Sequence, residues 1–142
     1  HTCGIKKDGS VSCWGLNRQG QSTPKPGAYV QLATKGTHTC GLKKDGSVSC
    51  WGWNKYGQST PKPGAYVQLA AGSYHTCGLK KDGSVSCWGY NGAGQSTPPQ
   101  GLRLKVPAKA KEPDSIESLE RPLSPGDVDE QDVDVDEQDV KE

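Results

Sequence analysis

The segment HTCGLKKDGSVSCWG occurs at His38 and again at His75, and at His1 with Ile5 in place of leucine. The three histidines lie 37 residues apart, and residues 1–37 match residues 38–74 at 29 of 37 positions. The eight differences fall at positions 5, 16, 18, 19, 34, 35, 36 and 37 of the first copy. A period this strict constrains the fold more than any other property of the chain. Copies so alike must adopt the same local structure, each burying its apolar face against the next.

Within a unit the pattern is that of strands. Cys40 and Leu42 alternate with Thr39 and Gly41, Val48 and Cys50 with Ser47, Ser49 and Trp51, and Ala65, Val67 and Leu69 with Tyr66 and Gln68. Period-2 runs bounded by Gly and Pro clusters read as short strands. The segments GQSTPKPG (20–27 and 57–64) and GQSTPPQG (94–101) read as loops, because proline fixes φ and removes a ladder donor.

The turn sets the hairpin register. A two-residue Asp-Gly turn would place Cys40 opposite Trp51. A three-residue loop, Lys44-Asp45-Gly46 with a left-handed glycine, pairs Lys43 with Ser47, Leu42 with Val48 and Cys40 with Cys50. Opposed Cβ atoms on antiparallel strands stand about 4.5–5.5 Å apart, near the reach of a disulfide. The expected bonds are Cys3–Cys13, Cys40–Cys50 and Cys77–Cys87, each contributing roughly 2–3 kcal/mol by constraining the unfolded chain. Two alternatives stay open at this point. One is six reduced, buried cysteines; the other is zinc held by His38, Cys40 and Cys50, although the spacing is unusual and a fourth ligand is missing. Fully paired cysteines favour an oxidising compartment, hence an extracellular or cell-surface location.

The string YVQLAAGSYHTCGLKKDGSVSCWGYNGAGQ (66–95) resembles a repeat of the regulator of chromosome condensation family. The resemblance rests on Ala71-Gly72, His75-Thr76, Leu79, Asp82-Gly83, Val85, Trp88-Gly89, Asn91 and Gly94-Gln95, and its cysteine-paired short repeat is most like secreted versions. It implies an all-β fold of β-propeller blades, one per repeat, within a ring of about seven. It also implies a non-catalytic protein-interaction module, with inhibition of secreted enzymes as one sub-case. The expected domains are residues 1–106 (repeats 1–37, 38–74 and 75–106) and an acidic tail, 107–142. The chain starts at His1, in mid-repeat, and GLRLKVP (101–107) aligns with GAYVQLA (27–33) as a third leading strand. This reads as a fragment of a larger propeller; self-assembly would complete the ring if the chain were whole.

Charge is divided unevenly. Residues 1–106 carry 13 Lys and Arg against 3 Asp, a net +10, whereas residues 107–142 carry 4 against 13 Asp and Glu, a net −9. The tail holds four prolines, no aromatics and a duplicated DVDEQDV (127 and 134), so it reads as disordered. Its DSIESLER stretch permits a brief helix ended by Pro122. A calcium site at Asp127, Asp129, Asp132 and Asp134 lacks EF-hand spacing.

In the body, Lys6, Lys7, Lys43, Lys44, Lys80 and Lys81 sit at hairpin tips and form a candidate cationic rim for an anionic partner. The bland reading is that they keep the tips soluble. Trp14, Trp51 and Trp88 read as core between blades, and Asn17, Asn54 and Asn91 as turn caps. Leu16, Trp53 and Tyr90 are equivalent positions that differ, as are Gln19, Tyr56 and Ala93. Trp53, Tyr56 and Tyr90 are therefore candidate binding residues. No catalytic motif, cofactor site, nucleic-acid motif or membrane-spanning run is present; the partner that the resemblance implies is a protein. The competing readings are a structural spacer array and an intracellular signalling scaffold.

Overall fold

The computed structural model describes residues 1–108 of the 142-residue chain. The disordered tail, its brief helix and its calcium site were read on residues outside these, apart from Pro107 and Ala108. Among the described residues, eight strands make three antiparallel sheets. β1 (Thr2–Ile5) pairs with β2 (Val11–Trp14). Next come β3 (Tyr29–Lys35), β4 (His38–Lys43) and β5 (Val48–Gly52), and then β6 (Tyr66–Ala71), β7 (His75–Lys80) and β8 (Val85–Gly89). Each three-stranded blade takes its leading strand from one sequence repeat and its hairpin from the next.

The hairpins have the expected register, with Cys40 opposite Cys50 and Leu42 opposite Val48. The turn closes through Gly46 N–H to Lys43 O at 3.0 Å and Lys43 N–H to Ser47 O at 2.9 Å. Gly46 has φ +87°, which an L residue rarely adopts, so the Asp-Gly pair fixes the loop length and hence the register. Asp45 Oδ1 accepts from the Ser47 backbone N–H at 2.9 Å and from its hydroxyl at 2.6 Å. Disulfides join Cys3–Cys13, Cys40–Cys50 and Cys77–Cys87, each with Cα atoms 4.1 Å apart. The sulfurs of Cys40 and Cys50 are bonded to each other, which removes both thiolates from a zinc site.

The leading strands depart from simple alternation. A register shift between Tyr29 and Gln31, and again between Tyr66 and Gln68, places one extra residue on the strand. Such a bulge reverses which face the preceding side chain meets. Tyr66 is therefore buried beside Leu69, while Ala65, expected to share Leu69's face, is exposed. The Tyr29 ring lies over Gly41, where an added Cβ would stand 2.5 Å from Cδ1, and its hydroxyl donates to Lys25 O at 3.0 Å. Residues 102–106, expected as a third leading strand, are not in a strand. Leu104 N–H donates to Gly83 O at 2.8 Å, as Tyr29 N–H does to Gly9 O and Tyr66 N–H to Gly46 O. Among the described residues no further hairpin follows for the segment to pair with.

The core forms between blades. Ala33, Cys40, Leu42 and Cys50 of one blade pack with Tyr66, Leu69 and Trp88 of the next. The loop that leaves one blade hooks beneath its neighbour. Gln21 O accepts from Trp51 Nε1–H at 3.0 Å, and Gln58 O accepts from Trp88 Nε1–H at 3.1 Å. Trp51 and Trp88 are buried by this hook, whereas Trp14, the equivalent residue of the first hairpin, is 58% exposed. The Gln31 amide bridges β3 and β6 in both directions, donating to Leu69 O at 2.9 Å and accepting from Leu69 N–H at 3.0 Å.

Candidate functional site

Antiparallel pairing gives each blade two chemically different ends. At one end stand the hairpin tips. At the other, the residue before each histidine meets the residue after each Trp-Gly: Trp53 N–H donates to Thr37 O at 2.9 Å, and Tyr90 N–H to Tyr74 O at 2.8 Å. Seven of the eight positions that differ between the first two repeats (16, 18, 19 and 34–37) lie in the loop, the turn and the adjoining end of the leading strand that build this second end.

There the second and third repeats assemble an aromatic patch. Trp53 and Tyr56 come from the loop after β5, Tyr74 from the turn between β6 and β7, and Tyr90 from the residue after β8. Ring centroids are 5.4 Å apart for Trp53–Tyr56, 5.8 Å for both Trp53–Tyr74 and Tyr56–Tyr74, 5.0 Å for Tyr56–Tyr90 and 6.3 Å for Tyr74–Tyr90. These edge-to-face separations are favourable for aromatic pairs. Tyr56, Tyr74 and Tyr90 remain 39%, 47% and 38% exposed, and Lys55 Nζ lies 5.8 Å from the Tyr56 ring centre. The loop bearing Trp53 and Tyr56 is braced from within. Asn54 Oδ1 accepts from Ser59 N–H at 2.9 Å, Asn54 Nδ2 donates to Thr60 Oγ1 at 2.8 Å, and Gln58 Oε1 accepts from Tyr56 N–H at 2.9 Å.

The structure thus brings together the three aromatic residues singled out from sequence and adds Tyr74, which was missed. A signal for it existed. Position 37/74 is one of the divergent ones, and extending the hairpin register outward from His75↔Gly89 by one residue sets Tyr74 against Tyr90.

The candidate lysines occupy the opposite end. Lys6, Lys7, Lys43, Lys44, Lys80 and Lys81 flank the three turns. Lys43 Nζ stands 5.8 Å from the Tyr29 ring centre, and Lys80 Nζ the same distance from that of Tyr66. Asp8, Asp45 and Asp82 have lowered pKa values. The hydroxyl of the serine two residues on (Ser10, Ser47, Ser84) is the largest cause and its backbone N–H the next.

Between the two ends runs a buried polar seam. His38 Nε2 lies 2.8 Å from Thr76 Oγ1, whose proton goes to Gln58 O at 3.2 Å. The hydroxyl must therefore accept from His38, which fixes the Nε2–H tautomer and leaves Nδ1 as a bare lone pair. His38 is fully buried, and Nδ1 has no partner. Burial, reinforced by the charge of nearby His75, pushes the imidazole from its ordinary 6.5 down to about 4. His1 Nε2 repeats the contact with Thr39 Oγ1 at 2.9 Å. These histidines are structural members of the seam. No helix of the described residues is long and apolar enough to cross a membrane.

Short three-stranded blades packed side by side, each hooked to the next by its exit loop, define a β-propeller repeat array. The pattern of the Regulator of chromosome condensation (RCC1) repeat matches residues 1–21, 29–58 and 66–95, more than half of the chain, and the chain belongs to that family. No curated protein sequence matches it significantly. Among solved structures it is similar to the ectodomain of the receptor kinase CR4 from Physcomitrella patens, at 27% identity and TM-score 0.58, over 71% of this chain and 31% of that one. It is also similar to the CRINKLY WD40 ectodomain of the receptor kinase ACR4 from Arabidopsis thaliana, at 33% identity and TM-score 0.54, over 63% and 36%. Yeast RCC1 (Prp20), solved bound to Kap60, shares the fold at 24% identity and TM-score 0.57, over 74% and 33%. The chain thus spans about a third of the length of each.

Proposed function

We propose that this chain is a non-catalytic, extracellular or cell-surface protein-interaction module, part of a larger propeller over residues 1–106, that engages a protein through Trp53, Tyr56, Tyr74 and Tyr90. The observation that carries the reading is the coincidence of sequence drift with exposure. The first two repeats differ almost solely at one end of the blades, and there the second and third repeats present exposed Tyr56, Tyr74 and Tyr90 around a half-buried Trp53. Solvent-facing Trp and Tyr on a braced loop are the residue types that dominate binding energy at protein interfaces. Three disulfides support an oxidising compartment, as does the likeness to two receptor ectodomains.

The test uses full-length protein purified without reductant. Alkylation should find no free thiol; six reactive thiols would overturn the extracellular placement. Proteins that bind the immobilised chain from conditioned medium would be identified and purified, and their affinities measured directly. Trp53→Ala and Tyr74→Ala should each weaken binding by about tenfold or more, equivalent to about 1.4 kcal/mol. Affinity unchanged by both substitutions would overturn the aromatic site.

A further inference from the structure

Among the described residues, the hairpin-tip end carries more positive than negative charge. Six lysines flank the turns, and Lys25 and Lys62 reach the same end, their carbonyls accepting from the hydroxyls of Tyr29 and Tyr66 at 3.0 and 2.9 Å. The only carboxylates among the described residues, Asp8, Asp45 and Asp82, lie there too. Each is exposed and accepts from its own serine, at 2.9 Å from the N–H and 2.6 Å from the hydroxyl. The same hydrogen bonds favour the ionised carboxylates, so among the described residues eight lysines share this end with three anions.

The positive charges are also arrayed. Successive sheets pack side by side, at about 10 Å for packed sheets, so the lysine pairs repeat along the rim.

We propose that this rim binds a linear sulfated polysaccharide, a partner distinct from the protein assigned to the aromatic end. Lysine offers a compact point charge suited to isolated sulfates, and a polymer with regularly spaced anions matches a rim with regularly spaced cations. Single-stranded nucleic acid fits less well, because it needs exposed aromatic rings on which bases stack. Tyr29 and Tyr66 at this end are buried, and the exposed Trp–Tyr cluster lies at the other. The inference rests on the extracellular placement proposed above, since sulfated polysaccharides belong to that compartment.

The experiment titrates heparin into the full-length, oxidised chain at physiological ionic strength. A triple variant, Lys7→Gln/Lys44→Gln/Lys62→Gln, should raise Kd about tenfold or more, with binding steeply weakened by salt. A control triple, Arg18→Gln/Lys35→Gln/Lys55→Gln, removes equal charge from the aromatic end and should change Kd by less than about threefold. Near-ultraviolet circular dichroism verifies that both triples are folded.

Equal losses in the two triples would mean attraction by net charge alone and would overturn the proposal. So would an absence of heparin binding, or equally tight binding of desulfated heparin, duplex DNA or polyglutamate. Thiol alkylation separates the two readings. Free cysteines overturn the extracellular placement, whereas intact disulfides without heparin binding overturn the rim alone.

Discussion

The two ends of these blades are built from the same repeats and have diverged to different degrees. At the tips, Lys-Lys-Asp-Gly-Ser recurs unchanged three times. There the left-handed glycine, the serine-binding aspartate and the strand register hold one another in place. At the other end the loop after Trp-Gly is held by its own Asn and Gln network, Asn54 on Ser59 and Thr60 and Gln58 on Tyr56 N–H, which fixes the backbone without fixing the residues at positions 16/53/90 and 37/74. Leu16, Trp53 and Tyr90 occupy one position, and Thr37 and Tyr74 another. The backbone contact survives the change, because Trp53 N–H reaches Thr37 O much as Tyr90 N–H reaches Tyr74 O. The contrast shows that the scaffold is held by backbone contacts and by seam contacts repeated at both blade junctions, which leaves the side chains of one end open to vary. Stability should therefore reside between the ends, not at either.

The largest expected effect tests that division directly. Trp88 is buried in the inter-blade core with its indole N–H on Gln58 O, so Trp88→Ala should cost about 3–5 kcal/mol in denaturant unfolding. Trp14 occupies the same position in its repeat but is exposed, and Trp14→Ala should change stability by less than about 0.5 kcal/mol. Equal costs at the two sites would show that each hairpin is stabilised internally, and the seam would lose its place in the comparison.

The next effect is acid sensitivity of the seam. His38 titrates near 4 in the folded chain, below its unfolded value of 6.5. Around pH 5 the unfolded chain therefore binds a proton that the native chain does not. Stability from this residue is complete above about pH 6.5 and is lost as pH falls through about 4, by on the order of 3 kcal/mol in total. Unfolding midpoints followed across that window should show the decline. His38→Gln, which keeps a donor for Thr76 Oγ1, should remove this contribution. A wild-type profile that stays flat over the same window would mean that acid reaches and solvates the seam.

What was legible in the sequence follows the same division. The hairpin register and the three disulfides could be read because a three-residue Asp-Gly loop is a local rule acting over eleven residues. The bulge after Tyr29 and Tyr66 could not, since it exists to lay a tyrosine ring over Gly41 or Gly78, on a strand that pairs only after folding. The Trp14 side chain was expected in the core because its repeat position is that of Trp51. Its exposure depends on whether a neighbouring loop covers it, and no property of Trp14 itself reports that. Tyr74 was within reach of the register argument. The His38–Thr76 contact was not, because it joins identical motifs in adjacent repeats and leaves no mark within either.

The smallest effects belong to the ends. Tyr74 makes edge contacts with Trp53, Tyr56 and Tyr90, yet nearly half of it meets water. Tyr74→Ala should therefore cost only about 1 kcal/mol of folding stability. Lys44 lies at a turn tip whose conformation is held by Gly46 and by Asp45 on Ser47. Lys44→Gln should thus fall within about 0.5 kcal/mol of the parent chain. Chemical denaturation of both variants beside Trp88→Ala resolves these differences. The ordering carries the meaning: if Tyr74→Ala approached the cost of Trp88→Ala, the aromatic cluster would be a second core that happens to be exposed. A cost near 1 kcal/mol leaves the exposed rings with little structural reason to be there, which is the condition a binding surface has to meet.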